Sequence, residues 1–417
     1  MNFAHLKLAK PLNVALIGSG HYSTGQTALS NEVSTDKDFG VLLPSLFYLR
    51  KLGKVNEITL CGRDGSKFEA IKEKIRPWGG GLGLNVNFNS YPDPGRVDEK
   101  AYLSVLDDLS RPCAAIIAVP DDLHVEVMLA CAQRDIPFLI VKPAVTRLAD
   151  FYRVKSVMPD GLLGMVDYHK VYDEANLSIR SDIEEGAYGR LHHVSSLMTQ
   201  RRDMVRIYER WLRSSPGTNV NHYLGSHYIH MTGFLTGATP LDVRATQQFG
   251  FIERLYKIKV ADTIQTHIRW RARDGCCFTS YHVSGWADPS QTESMTYQEI
   301  HILSENGHVF SDQRFRGTRK VLVGTGSQVP NPYFFGLSQG LLGHWGLETK
   351  YGYQSVANFI DLAITGTDEH RRFKLPTFED SEYVTAILEA ADMSLSRDSK
   401  VISITSHNGR LELTVTN

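Results

Sequence analysis

Asn13-Val14-Ala15-Leu16-Ile17-Gly18-Ser19-Gly20 is the stretch on which the fold turns. A short, mostly apolar run that stops at glycine reads as a buried strand entering a tight turn. A polar stretch, residues 21–38, follows. Residues 39–52 (FGVLLPSLFYLRKL) then place apolar side chains at helical spacing, with Pro44 tolerable only near the first turn. A strand, a glycine turn and a helix in this order bring bare backbone N–H groups and a positive helix end to one place, which suits a pyrophosphate. Gly18, Ser19 and Gly20 supply the turn. The usual third glycine does not follow at once, and Gly40 at the helix start is the candidate to take its place. A plain tight turn is the other reading of these glycines. The intervening residues 21–38 either fold over the ligand or extend across the surface.

Outward from this unit, residues 57–61 read as a strand, 67–75 as a helix and 79–83 as a glycine loop. The apolar run 114–119 (AAIIAV) ends at Pro120, as a central parallel strand covered on both faces should. Residues 122–133 read as helix, and 138–141 as a strand ending at Lys142-Pro143. Alternating strands and helices predict a doubly wound parallel sheet over residues 1–170. Beyond residue 173 the pattern becomes period-two, as in 263–270 and 278–283, which predicts a largely antiparallel sheet within 171–417. Helices are expected at 174–186, 222–235, 355–364 and 381–396.

Bulk properties agree with two globular units. A chain of 417 residues exceeds one ordinary core, and 45 basic against 46 acidic side chains give no basic field for nucleic acid. The cysteines Cys61, Cys113, Cys131, Cys276 and Cys277 are scattered and odd in number, which fits a reducing, cytoplasmic setting. Twelve residues before the first strand are too few for a secretion signal, and no apolar run suggests a membrane span.

The end of the second strand bears on which dinucleotide binds. A carboxylate there would take the ribose hydroxyls of NAD, and an arginine would hold the 2′-phosphate of NADP. Gly62-Arg63-Asp64 puts a guanidinium first, so NADP is the preferred expectation; Asp64 keeps NAD open, and a solvated surface turn is the remaining reading.

Several segments, in order along nearly the whole chain, resemble the Gfo/Idh/MocA family of oxidoreductases, which includes glucose–fructose oxidoreductase and inositol dehydrogenase. They are Ala118-Val119-Pro120-Asp121-Asp122-Leu123-His124, Lys142-Pro143, Gly186-Ala187-Tyr188-Gly189-Arg190-Leu191, Gly225-Ser226-His227 and Leu375-Pro376-Thr377-Phe378-Glu379-Asp380. The resemblance implies a Rossmann domain followed by an α+β domain with a large, mostly antiparallel open-faced sheet, which often serves as an oligomer interface. It implies hydride exchange between NAD(P) and a sugar, cyclitol or related polyol, with Val119, Pro120, His124 and Lys142 beside the cofactor. Two departures stand out. Val141 occupies the place of a family glutamate before the lysine, and Tyr223 the place of an aspartate four residues before His227.

Oxidising a secondary alcohol needs a hydride acceptor and a base for the hydroxyl proton. Lys142, at the carboxyl end of a parallel strand, and His227, whose imidazole titrates near neutrality, are the candidates; a surface lysine and a structural histidine are the bland alternatives. Tyr223, one helical turn before His227, is the candidate to replace the missing carboxylate, with simple packing as its alternative. Asp167, His169 and Lys170, around the end of a further strand, are expected to contact substrate together with Lys142 and His227. Asp312-Gln313 and Arg316-Gly317 line the far wall or, more simply, close a turn, and Trp286 reads as core or interface. His222, His227 and His230 do not share one helical face, so no metal site is expected. The competing readings are a non-catalytic nucleotide-binding sensor or regulator and a structural subunit that assembles through the sheet.

Overall fold

The computed structural model describes residues 10–26, 37–215, 217–324, 326–336, 347–366 and 375–416. The first sheet contains β1 (Leu12–Ile17), β2 (Val55–Cys61), β3 (Asn89–Tyr91), β4 (Cys113–Ile117), β5 (Phe138–Val141) and β6 (Gly164–Asp167). These pair in the order β3-β2-β1-β4-β5-β6, and every pair is parallel. Strand β1 shows why the apolar run folds in this way. Its side chains alternate between two buried clusters, Ala15 and Ile17 on one face and Leu12, Val14 and Leu16 on the other. A strand covered on both faces needs no polar alternation.

The helix Leu42–Lys51 packs on the second of these faces, beside Val356, Phe359 and Ile360 from the much later helix Tyr351–Thr365. The chain therefore returns to the first sheet after building the second. It does so again at Pro376, whose carbonyl accepts from Val166 N at 3.0 Å.

The second sheet is built from β7 (Leu191–Arg201), β8 (Thr239–Gln248), β9 (Thr263–Arg271), β10 (Cys277–Asp288), β11 (Thr296–Ser304) and β12 (His308–Asp312). A small hairpin of β13 (Lys320–Leu322) and β14 (Gly326–Gln328) stands apart, and β15 (Ile402–His407) and β16 (Arg410–Val415) complete the sheet. Its order is β12-β11-β7-β10-β9-β8-β15-β16. All pairs are antiparallel except β7 with β10. In β9, Ile264, Thr266, Ile268 and Trp270 are buried while His267, Arg269 and Arg271 are exposed, so one face is core and the other is open. The helices Glu174–Glu184, Ser226–Thr236 and Glu382–Leu395 supply apolar partners for the buried face.

Local differences from the expected elements have physical causes. The helix after β2 spans Phe68–Gly81, through Pro77 and into the glycines expected as loop. A Cβ on Gly79 would collide with the Val86 side chain, so that glycine marks a crossing of chain over helix. The first long helix starts at Leu42, and Phe39 instead stacks on Trp78 with centroids 4.9 Å apart. A short helix, His21–Thr24, lies in the polar stretch, whereas residues 27–36 of that stretch lie outside the described residues. The helix carrying His227 is preceded by a π-helical turn, Asn221–Gly225.

Candidate active site

A cavity of about 1460 Å³ lies where the carboxyl ends of the first sheet meet β7, β11 and the helix of His227. Ligand clefts for single small molecules are commonly about 300–1,000 Å³, so this one has room for a dinucleotide and a second molecule. Open parallel sheets gather ligands at this edge because several strands deliver their following loops there.

The turn after β1 forms one end. Gly18 has φ +114°, and a Cβ there would run into the Ala118 backbone, so only glycine lets β1 and β4 approach so closely. Gly20 borders the cavity, and a Cβ there would meet nothing within 4 Å. Together with Ser19 they form a cradle of backbone with open space in front of it, which fits a pyrophosphate. Gly40 lies elsewhere. It has φ +75° and is pressed against the backbone of Ser23 and Thr24, so it serves the entry of the long helix and does not line the cavity.

Arg63 and Asp64 flank the same end. The Asp64 carboxylate already accepts from Ser66 N at 3.0 Å and Ser66 Oγ at 2.6 Å, hydrogen bonds that hold it below the usual carboxylate range. Arg63 is about half exposed and makes only a loose 3.6 Å contact with Glu99. Both bonds to Asp64 fall on Oδ1.

Val119, Pro120 and His124 form the middle of the wall. The buried His124 ring sits with Nε2 3.0 Å from Val119 O and Nδ1 2.9 Å from Pro143 O, joining the loops that follow β4 and β5. Asp121 closes the wall from the other side. It accepts from Trp211 Nε1 and Thr218 Oγ1, each at 2.8 Å, while Asp122 accepts from Ser215 Oγ at 2.8 Å. These bonds fasten the second unit across the cavity mouth. Sequence reasoning missed Trp211 and Thr218, because nothing in the chain marks two polar groups as partners of a residue ninety positions earlier.

Lys142 projects from the end of β5. Its ammonium donates to the Tyr223 carbonyl and lies 4.4 Å from the centre of the Tyr223 ring. Desolvation pulls its pKa from the ordinary 10.5 to about 7, opposed by Asp167. The Tyr223 hydroxyl donates to Tyr208 Oη at 2.7 Å, while its ring packs against Trp211 and Trp286. Tyr223 therefore holds Lys142 through its carbonyl and its ring face.

His227 lines the cavity, is buried, and its Nδ1 has no hydrogen-bond partner in the protein. Burial and then the charges of Lys142, His169 and Lys170 push its pKa well below the ordinary histidine value, so the ring is neutral. Asp167, His169 and Lys170 gather at the same place. Lys170 Nζ donates to Gln298 Oε1 at 2.6 Å and Gln313 Oε1 at 3.1 Å, and desolvation brings its pKa to about 7. Gln313 is fully buried and also accepts from Tyr228 Oη at 3.0 Å, so it braces Lys170; Asp312 caps the turn at Arg314 and Phe315, and Arg316 pairs with Asp173. Trp286 is core. His222 instead meets Asp392 at 3.1 Å, and His230 stacks on Tyr168, so the three helix histidines have separate tasks.

A glycine cradle, an arginine beside it and a cluster of buried titratable groups thus share one cavity between the parallel sheet and the second, largely antiparallel one. Residues 177–309 match the GFO/IDH/MocA C-terminal domain. A stretch of 82 residues is 37% identical to inositol 2-dehydrogenase of Renibacterium salmoninarum; it spans 19% of this chain and 24% of that relative. Among solved structures, myo-inositol 2-dehydrogenase from Lactobacillus plantarum superposes with a TM-score of 0.67 at 14% identity, covering 95% of this chain and all of that one. Scyllo-inositol dehydrogenase from Lactobacillus casei, solved with NAD(H) and scyllo-inositol bound, gives 0.64 at 11% identity over 94% of this chain and 99% of that one. At such identities the likeness establishes the fold.

Proposed function

We propose that this protein is an NAD(P)-dependent oxidoreductase that exchanges a hydride with a secondary alcohol or ketone of a sugar, cyclitol or related polyol. The observation that carries the reading is the convergence of Lys142, His227, Asp167, His169 and Lys170 on one cavity whose other end is the Gly18–Gly20 cradle. The Gly18, Ser19 and Gly20 backbone would hold the pyrophosphate, and Val119, Pro120 and Lys142 would border the nicotinamide end, with His124 fixing the loops beneath it. A bound oxidised nicotinamide supplies the hydride acceptor. The Lys142 ammonium polarises the substrate oxygen, and the neutral His227 ring offers it a hydrogen bond. Asp167, His169 and Lys170 complete the polar wall that recognises the substrate. Arg63 at the end of the second strand favours NADP over NAD. The arrangement supports a division of labour between residues 1–170 and 171–417, with Tyr351–Thr365 lent back to the first. Tyr281, Leu303 and Phe310 are exposed on the open side of the second sheet and support homo-oligomer formation through it. No described helix is long and apolar enough to cross a membrane. The five free cysteines support a cytoplasmic setting.

The test is a panel of inositols, aldoses, ketoses and glycerol with NADP(H) and NAD(H), followed at the nicotinamide absorbance. Turnover with at least one polyol or ketose is the expected result. Cofactor binding without turnover across the panel would leave a nucleotide-binding sensor in place of an enzyme.

A further inference from the structure

We infer that Asp167 and His169 form the proton-accepting pair of this site, standing in for the carboxylates absent at positions 141 and 223. The inference rests on the oxidoreductase reading above and adds to it a catalytic role for two residues so far given only to substrate recognition.

The first observation is one of register. In the parallel pairing of β5 with β6, Val141 and Asp167 are direct partners. A carboxylate missing from the strand that leads to Lys142 thus reappears on the adjacent strand at the same level of the sheet edge. It is close enough to Lys142 to be its principal opposing charge.

The second observation is the hydrogen-bond order around that carboxylate. Ser355 Oγ donates to Asp167 Oδ1 at 2.5 Å and Tyr22 Oη donates to Oδ2 at 2.8 Å. His169 Nδ1 lies 3.4 Å from Tyr22 Oη and 3.7 Å from Asp167 Oδ1. Because the tyrosine hydroxyl spends its hydrogen on Asp167, its oxygen can only accept from the histidine. This assigns the neutral ring as the Nδ1–H tautomer and leaves the lone pair on Nε2, at the opposite edge of the ring. His169 lines the cavity and faces His227, with ring centroids 5.1 Å apart. A base with a free nitrogen, backed by a carboxylate that gains an ion pair when the ring is protonated, is the constellation that general-base catalysis requires.

Asp167 can play this part because its charge is secured. Although burial opposes the charge, the nearness of His169 and then hydrogen bonds from Ser355 and Tyr22 hold its pKa below the usual range. His169 itself is lowered by burial, opposed by Asp167 and reinforced by Lys170 and Lys142. The titratable and charged groups around the ring are Tyr22, Lys37, Lys142, Asp167, Lys170, His227 and Tyr351. Among them only Asp167 favours the imidazolium.

In the oxidation direction a bound oxidised nicotinamide would accept the electron pair of the carbinol C–H bond. The O–H bond breaks with its pair becoming the second carbon–oxygen bond, and the proton lands on His169 Nε2, from which it leaves to solvent. Lys142 keeps its proton and steadies the negative charge on oxygen as it develops. The reverse reaction returns the proton from His169 to the new alkoxide oxygen.

The two groups should leave separate marks on the pH profile of kcat/KM. His169, needed neutral, gives an acidic limb, and Lys142, needed protonated, gives an alkaline limb with a midpoint of about 7. The experiment uses the fastest substrate of the polyol panel. His169→Gln should lower kcat by roughly a hundredfold or more, erase the acidic limb, and leave cofactor affinity and denaturation midpoint near those of the parent. Asp167→Asn keeps an acceptor for Ser355 but removes the charge, and it should move the acidic limb to lower pH. A His169→Gln protein with kcat within about threefold of the parent and an unaltered acidic limb would overturn the inference, as would an unmoved limb in Asp167→Asn. If the parent turns over no member of the panel, the oxidoreductase reading falls and takes this inference with it. If the parent turns over and the variants match it, only the inference falls.

Discussion

Replacing Lys142 by Met should make the protein more stable at pH 6 while abolishing most of its turnover. The parent holds an ammonium whose pKa falls from 10.5 to about 7 on folding, chiefly through desolvation. That fall of roughly 3.5, at about 1.4 kcal/mol for each, bounds the cost of the buried charge at about 5 kcal/mol. The side chain borders a solvent-reachable cavity and gains a contact with the Tyr223 carbonyl and ring, so a working figure is roughly 2 kcal/mol. The sign follows from proton linkage. Below pH 7 folded and unfolded chains both hold the proton, and the full cost is present. Between about 7 and 10.5 the unfolded chain alone holds it, so the parent gains stability as pH rises through that window, and above it the cost is gone. Met keeps the length of the stem without the charge, so the variant's advantage should be about 2 kcal/mol at pH 6 and should close as pH approaches 10.5. Urea denaturation at pH 6 and pH 10 measures the gap. Lys170, also drawn to about 7, is present in both proteins and cancels in the comparison. Turnover at pH 7 should fall by at least roughly a hundredfold. A variant no more stable than the parent at pH 6, or one that keeps near-normal turnover, would refute the assignment of a desolvated ammonium at the reacting oxygen.

Three further outcomes follow from other parts of the cavity. Arg63→Ala should weaken NADP binding by tenfold or more in a fluorescence titration and leave NAD binding within about twofold, because a charge-assisted contact is worth roughly 1.5–3 kcal/mol; equal losses would remove Arg63 from cofactor choice. Asp121→Ala deprives Trp211 Nε1 and Thr218 Oγ1 of their acceptor, so it should lower the stability that fastens the second unit by about 1–3 kcal/mol and shift the tryptophan emission; an unchanged spectrum and midpoint would show the tie to be idle. Gly18→Ala forces a side chain onto the Ala118 backbone at a positive φ, and it should cost at least about 1–3 kcal/mol in denaturation together with measurable cofactor affinity. A variant with parental stability and affinity would mean that the turn can shift without consequence.

The legible parts of the molecule are those whose signal lies within one short window. Residues 13–20 announce a strand and a glycine turn because burial on both faces leaves an unbroken apolar run, and the place of Lys142 at the end of such a run marks it as a cavity residue. Direction is not written in a period of two, so the parallel pairing of β7 with β10 inside an otherwise antiparallel sheet had no local sign. Nor could local propensity show that Gly79 is a helical residue, because the reason for it is Val86 crossing the helix. Gly40 shows the same limit from the other side. A glycine at the right distance reads as part of a phosphate loop, whereas its use here is to let the chain pass Ser23 and Thr24.

The groups at the centre of the cavity come together from distant parts of the chain. Tyr22 and Ser355 meet one carboxylate from positions 145 and 188 residues away along the chain. No motif search would have joined them, since each looks like an ordinary surface or helix residue in its own window. Yet they bear on the chemistry available to Asp167, because each hydroxyl donor, after His169, favours the charged form of this buried carboxylate. The helix Tyr351–Thr365 has its place in this account too. By returning to the first sheet it brings Ser355 to the edge of β6, and it also stacks Tyr351 on His169 with centroids 5.7 Å apart. The same packing that closes the hydrophobic face of β1 therefore holds a donor to Asp167, and on the proposed mechanism a substitution that loosens Val356 or Phe359 should be felt at the acidic limb of the pH profile before it is felt in cofactor binding.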